Sequence, residues 1–429
     1  MQASLDQRFS TANRVADYVQ GLWRQPRTFN HVVIFWFLLL AMAAVRCSVA
    51  MYGTRIYSLD GFLVLDGAWR MLNGQRPHVD FNSMVGPVAY LPTLFGFLFS
   101  SNTAAGFGYG QAMVGLVLGT WAYLLGRKLY ETPRILYALC VAAVAVSPSQ
   151  LGLSPFAFSP ATTYNRYAYA LLGVLLLECL STEVDSEIVA GFSSGAVIAI
   201  LAFLKITSFL GGALLIVALI PQRKQTLPRW VGFAAGAALV GFPFLYYLHF
   251  DVGAVIRDLA ITAGAKRIVT DIYLLNSIAR DAAIALMLTL VASSCLTESG
   301  KPQAARRVML AGVLVVTASV LLILGNYQPS DLPLLGLFLL IVSHRLLVNG
   351  VTASTTGKAM SSLVLGGSAI YAGITVLSAL LSLAGAQWVK MHSVRAADRL
   401  QGPALRQFVI VKGDASYTKY VNDGLRLLQ

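Results

Sequence analysis

Residues 31–51 read HVVIFWFLLLAMAAVRCSVAM, a run in which Arg46 is the one formally charged side chain. A helix of this length rises about 30 Å, the thickness of a bilayer's hydrocarbon core. Similar apolar runs follow near 106–126, 134–150, 165–182, 187–204, 206–221, 230–250, 274–296, 308–325, 331–348 and 361–385. Backbone N–H and C=O groups in lipid must bond within their own segment, so runs of this kind form helices. The expectation is an all-α polytopic transmembrane bundle of about eleven spans.

Composition agrees. The chain has 429 residues, 57% hydrophobic and 12% charged, with a mean hydropathy of +0.68. A soluble domain carries about twice that charged fraction. The net charge of +13 does not point to nucleic acid, because the cations sit in short loops between apolar runs, where they set topology. Cys47, Cys140, Cys179 and Cys295 lie in or beside those runs without a CxxC pair, and read as small buried hydrophobes. No cleavable leader is read: residues 1–30 are polar, and the run after them is too long and lacks a small-residue cleavage site.

Charge asymmetry orients the spans. With residues 1–30 cytoplasmic, the inner loops contain Arg127, Lys128 and Arg134; Arg223, Lys224 and Arg229; Lys301, Arg306 and Arg307; and Arg345 and Lys358. Pro87–Ser100 is apolar but short, and counting it as a span would invert most of these loops, so it reads as an interfacial helix. The resulting organisation is a cytoplasmic segment at 1–30, a membrane domain at 31–385 with its first outer loop at 52–100, and an extracytoplasmic tail at 386–429.

That first outer loop carries the densest polar chemistry. Ser58–Phe81 reads SLDGFLVLDGAWRMLNGQRPHVDF. Leu63, Leu65, Ala68, Trp69 and Leu72 form one apolar stripe, which predicts an amphipathic helix lying on the membrane. Asn73-Gly74 ends it and Pro77 prevents its continuation. Asp60 stands at the helix start, as an N-cap or as a functional acid, and Asp80 follows the turn, in position to return to the same cleft. Asp66 and Arg70 have the spacing of an i,i+4 surface pair. Arg76 and His78 complete the cluster, although a lone loop histidine is more often neither base nor ligand.

Asp60, the helix ending LxxGxxP, Val79-Asp80-Phe81 and the following Gly-Pro together resemble the GT-C membrane glycosyltransferases, closest to bacterial protein mannosyltransferases and aminoarabinose transferases. LLGRKLYETPR (124–134) and FLKITSFL (203–210) resemble that family's inner-loop turn and its lysine before the sixth span. The resemblance covers roughly residues 30–225. It implies transfer of a sugar from a polyprenyl-phosphate donor to a glycan, lipid or protein acceptor on the outer face of a bacterial inner membrane, with inversion at the anomeric carbon and Asp60 as the base. It further implies a cationic clamp for the leaving phosphate, with Lys205, Arg166, Lys266, Arg267 and Arg257 as candidates. Asp66, Asp80, Arg76, His78 and Asn165 are candidate substrate contacts. The chain departs from the pattern twice: Gly61 stands where the family has Glu, and Asn165 stands where it often has Asp. No cofactor is required by this reading, and a divalent cation is the one to consider. The rival classes are a transporter or flippase of a lipid-linked glycan, which calls for charges within spans and discontinuous helices, and a non-catalytic scaffold.

Overall fold

In the computed structural model the described residues are 17–18, 20–24, 28–49, 51–54, 58–100, 104–149, 158, 163–180, 186–219, 226–264, 272–326, 333–349, 355–393, 398–399 and 408–410. The chain is a helical membrane protein. Its helices are α1 (Phe29–Val49), α2 (Ser58–Leu72), α3 (Leu91–Ser100), α4 (Ala105–Leu125), α5 (Glu131–Val146), α6 (Thr163–Leu180) and α7 (Glu187–Leu204). They continue as α8 (Ile206–Leu219), α9 (Leu227–Tyr247), α10 (Val252–Gly264), α11 (Ile272–Glu298), α12 (Pro302–Asn326), α13 (Pro333–Asn349) and α14 (Thr355–Ser393). Each of the eleven apolar runs falls on one of these helices. Six helical stretches are long and apolar enough to cross a membrane by themselves: Phe29–Val49, Glu187–Leu204, Leu227–Tyr247, Ile278–Glu298, Pro302–Leu324 and Gly357–Trp388.

Pro87–Ser100 is one of the shorter apolar helices, with Ile206–Val217 and Leu334–Asn349. A 3₁₀ turn at Pro87–Ala89 leads into the ten-residue α3, which lies antiparallel against the first turns of α4. A departure from all-α character lies at the end of α1. Strands β1 (Met51–Thr54), β2 (Asp398–Arg399) and β3 (Phe408–Ile410) form a sheet in the order β1-β3-β2. This places the described part of the tail beside the first loop.

Helix α6 is the centre of the bundle, with all eighteen of its residues buried. Helix α7 packs against it, and α9 runs parallel to α7 in very close contact. A Cβ on Gly195 would stand 2.0 Å from the Phe233 carbonyl oxygen, and one on Gly236 2.0 Å from that of Phe192. Gly191 and Gly195, and Gly232 and Gly236, are small-xxx-small pairs. They let backbones meet where lipid provides no hydrophobic drive between helices. Gly236→Leu is therefore expected to force α7 and α9 apart, costing about 1–3 kcal/mol or more. A lowered Tm of the detergent-solubilised protein would show it; an unchanged Tm would mean the pair is not a tight joint.

Side-chain contacts sort the helix ends onto two faces. Lys358 lies 3.3 Å from Asp17, and Gln20 Nε2 donates to Ser361 Oγ at 3.5 Å, so α14 starts beside the N-terminal residues. It ends where Ser48 Oγ donates to Gln387 Oε1 at 2.8 Å. It therefore runs parallel to α1, from the N-terminal face to the face of the first loop. Thr132 donating to the Leu22 carbonyl and Arg24 donating to that of Leu347 put further loops on the N-terminal face.

Candidate functional site

On the loop face, α2 buries Val64, Leu65 and Ala68 against the bundle, while Trp69 and Leu72 are exposed, so the stripe read from sequence is divided between the buried and exposed sides. Asp60 is in its first turn. Asp66 points away from the bundle, with Arg70 Nε donating to its Oδ2 at 2.7 Å. That is the surface pair of the simpler reading, and it gives Asp66 no part in a cleft.

Beyond the helix, the turn at 75–80 is a docking element. Arg76 donates to Asp80 through its backbone N (2.8 Å), Nε (2.9 Å) and Nη2 (3.2 Å). It also donates from Nη1 to His249 Nε2 at 2.6 Å. The Arg76 guanidinium and backbone hold the Asp80 carboxyl below the ordinary value for an aspartate. So Asp80 does not return toward Asp60: it locks the turn onto the end of α9, where Tyr247 also donates to the Gln75 carbonyl at 3.3 Å. A folded-state pKa lowered in this way supports docking at all pH values above the free carboxyl's own, about 4. The contribution is lost as pH falls through the lowered folded value. Hydrogen exchange across 75–80 should accelerate only below about pH 4. Asp80→Asn should show fast exchange at neutral pH with no acid step; an acid step retained in that variant would assign it to another group.

His78 is part of the same joint. Its Nδ1 donates to Asp258 Oδ2 at 2.9 Å, and both side chains are buried. The Ser83 backbone N donates to the same oxygen at 2.8 Å. His78 adopts φ +69°, a left-handed conformation unusual for a non-glycine residue. The backbone accepts it because the His78 N–H reaches the Phe81 carbonyl and the ring reaches α10. A buried pair of this kind is costly to break from one side, since the remaining charge loses its partner.

The loop then touches the bundle at Gly86. Its N–H donates to the Leu204 carbonyl at 3.0 Å, and a Cβ there would stand 1.9 Å from the Phe203 carbonyl oxygen. Only glycine permits this approach, which brings the first loop to the apex of the α7–α8 hairpin. That apex is a single residue, Lys205, in extended conformation (φ −164°, ψ 127°). Helix α8 folds straight back along α7, so that a Cβ on Gly212 would lie 3.0 Å from both Ile198 and Leu201.

At this apex Lys205, Asn165 and Tyr164 meet. Lys205 Nζ donates to Asn165 Oδ1 at 3.0 Å and lies 5.0 Å from the Tyr164 ring centroid. Tyr164 is also within electrostatic reach of the Asp60 carboxylate. Asn165 Nδ2 is buried and has no hydrogen-bond partner among the described residues, an arrangement that calls for a ligand or water. Thus Lys205 meets the N-terminal turn of the central helix, and Asp60 lies within electrostatic reach of the same turn.

Arg166 behaves differently. Its guanidinium is 1% exposed. It donates from Nη1 to the Ser147 carbonyl and to that of Ser149 (3.2 Å), and from Nη2 to Thr163 Oγ1 (3.3 Å). It ties α6 to the end of α5 and does not face the apex as an open clamp. Arg46 lies within electrostatic reach of it, and donates to Gln111 Oε1. Lys266 and Arg267 lie outside the described residues.

Asp258, His249 and Gln111 were not singled out by sequence. Gln111 carried a signal, as a polar side chain inside an apolar run. Asp258 and His249 carried none, because their roles depend on the docking of a distant loop. Among the described residues no group of three or more His, Cys, Asp or Glu gathers to hold a metal. No protein-family model, curated protein or solved structure matches this chain.

Proposed function

We propose that the chain is a membrane glycosyltransferase that moves a sugar from a polyprenyl-phosphate-linked donor to an envelope glycan, lipid or protein acceptor, with inversion. In this reading all eleven helices that carry the apolar runs cross the bacterial inner membrane. The N-terminal face, rich in cations, is cytoplasmic by the positive-inside bias, and the chemistry takes place on the loop face. The observation that carries the reading is the meeting of Lys205, Asn165 and Tyr164 at the α7–α8 apex, beside the interfacial loop and within electrostatic reach of Asp60.

The reaction needs two services there. The acceptor hydroxyl attacks the anomeric carbon as the bond from that carbon to the phosphate oxygen breaks. The hydroxyl proton passes to Asp60, and polyprenyl phosphate leaves with the electron pair, met by the Lys205 ammonium. An aspartate is a weak base toward an alcohol, so the proton moves late, once the attacking oxygen has acquired positive charge. Asn165 and Tyr164 position the donor.

A transporter of the same lipid-linked sugar is the second reading. It is favoured by the buried Arg46, Arg166 and Glu178. One experiment separates the two. The purified full chain is given a panel of polyprenyl-phosphate and polyprenyl-diphosphate sugars with an envelope extract as acceptor. Release of polyprenyl phosphate is expected. Movement of the lipid-linked sugar across proteoliposomes without release would overturn transfer in favour of transport.

A further inference from the structure

On the N-terminal face, opposite the proposed transfer site, the turn between α11 and α12 opens into a cleft of about 470 Å³, a volume suited to a small ligand. We propose that this cleft binds a phosphate-bearing anion, supplied either as the headgroup of an anionic phospholipid or as a free phosphate ester.

Three features converge on it. The first is backbone. Lys301 N donates to the Leu296 carbonyl at 2.9 Å and closes α11, while the Lys301 carbonyl accepts from Ala305 N at 3.0 Å and opens α12. Lys301 therefore sits at the N-cap, where its side chain has no acceptor to offer. Helix geometry leaves the first-turn N–H groups of Gln303 and Ala304 without intrahelical acceptors. Such a terminus attracts anions.

The second feature is charge. Lys301, Arg307 and Arg345 all line the cleft, and no carboxylate lines it among the described residues. Arg307 and Arg345 are close enough to repel one another. Glu298, the nearest acid along the chain, points to solvent.

The third feature is a fixed cation. Arg345 is held by a bond from Nη2 to the Leu180 carbonyl, so its guanidinium is fixed and not free to follow solvent. Arg345 is part-buried at the cleft wall, so its position there is set by the bundle. A cation that served topology alone would extend into water. Arg345 is instead anchored at the wall of a cavity rimmed by two further cations.

The test uses the full chain in phosphatidylcholine nanodiscs. One arm titrates inorganic pyrophosphate and follows thermal stability. The other adds phosphatidylglycerol and counts lipids retained by native mass spectrometry. Stabilisation by pyrophosphate would identify a soluble phosphate ester, and retention of phosphatidylglycerol alone a headgroup; either supports the proposal. The Lys301→Gln/Arg307→Gln double variant, altered at two exposed positions, should weaken binding by about tenfold or more. Arg127→Gln/Lys128→Gln, on the same face but outside the cleft, should not. Equal losses in both would mean general attraction to a basic surface and would overturn the site. Binding in neither arm would do the same. So would binding seen only in Glu183→Gln/Asp185→Asn, since residues 181–185 follow Leu180 and that result would mean the chain's own carboxylates occupy the cleft.

Discussion

Asp60→Asn is expected to leave the protein folded and to lower sugar transfer by about 10²–10⁴-fold, the contribution of a positioned general base. The substitution is nearly isosteric, and Asp60 sits in the first turn of α2, half-buried, where an asparagine serves equally as an N-terminal residue. The apolar contacts that seat α2, through Val64, Leu65 and Ala68, are untouched. Stability and donor affinity should therefore stay near wild type while kcat falls, separating loss of a base from loss of a fold. The comparison is Asp66→Asn. That carboxylate pairs with Arg70 on the exposed side of the same helix, and exposed pairs contribute about 0–1 kcal/mol. Asp66→Asn should retain full turnover. Full turnover in Asp60→Asn would remove Asp60 from the chemistry.

The contrast between these two aspartates marks how much the sequence could reveal. Hydrophobic run length was enough to locate the helices that carry the apolar runs, because an apolar segment in lipid must satisfy its backbone within itself, although six stretches are long and apolar enough to span by themselves. The helix α2 was legible from its local periodicity, but the face it buries was not: Val64 is buried while Trp69 and Leu72 are exposed. The i,i+4 pairing of Asp66 with Arg70 followed from spacing alone. Asp80 was not legible. Its distance along the chain from Asp60 allowed a return to the same cleft, and only the docking of Arg76 onto His249, 173 residues later, turns it away. The His78–Asp258 pair is likewise long-range, and a lone histidine gives no sign of a partner 180 positions distant. Arg166 was recognised as a charge at a helix start. Whether it faced the cleft or the bundle depended on where the carbonyls of Ser147 and Ser149 were placed. Lys205 was the most readable site residue, because a lysine between two apolar runs has few places to go.

Lys205→Met is the second large effect. Methionine keeps the unbranched stem that packs at the α7–α8 apex and removes the ammonium. The backbone there is extended, a conformation open to any residue, so the hairpin itself should form. What is lost is the donor to Asn165 Oδ1 and the cation 5.0 Å from the Tyr164 ring. If the ammonium meets the leaving phosphate, its worth grows as the glycosyl bond breaks and charge collects on the departing oxygen. Preorganised groups that stabilise such charge are typically worth about 10²–10³ in kcat. The loss should accordingly fall on kcat more than on donor KM, because the phosphate is already anionic in the ground state but becomes more so in the transition state. Lys205→Arg should recover part of the rate, since it restores charge with a different reach and geometry. A structural role would give the opposite pattern: Lys205→Met and Lys205→Arg would both lower Tm, and kcat per folded molecule would be unchanged. A fall confined to KM would leave Lys205 as a binding group without a part in the departure of the phosphate.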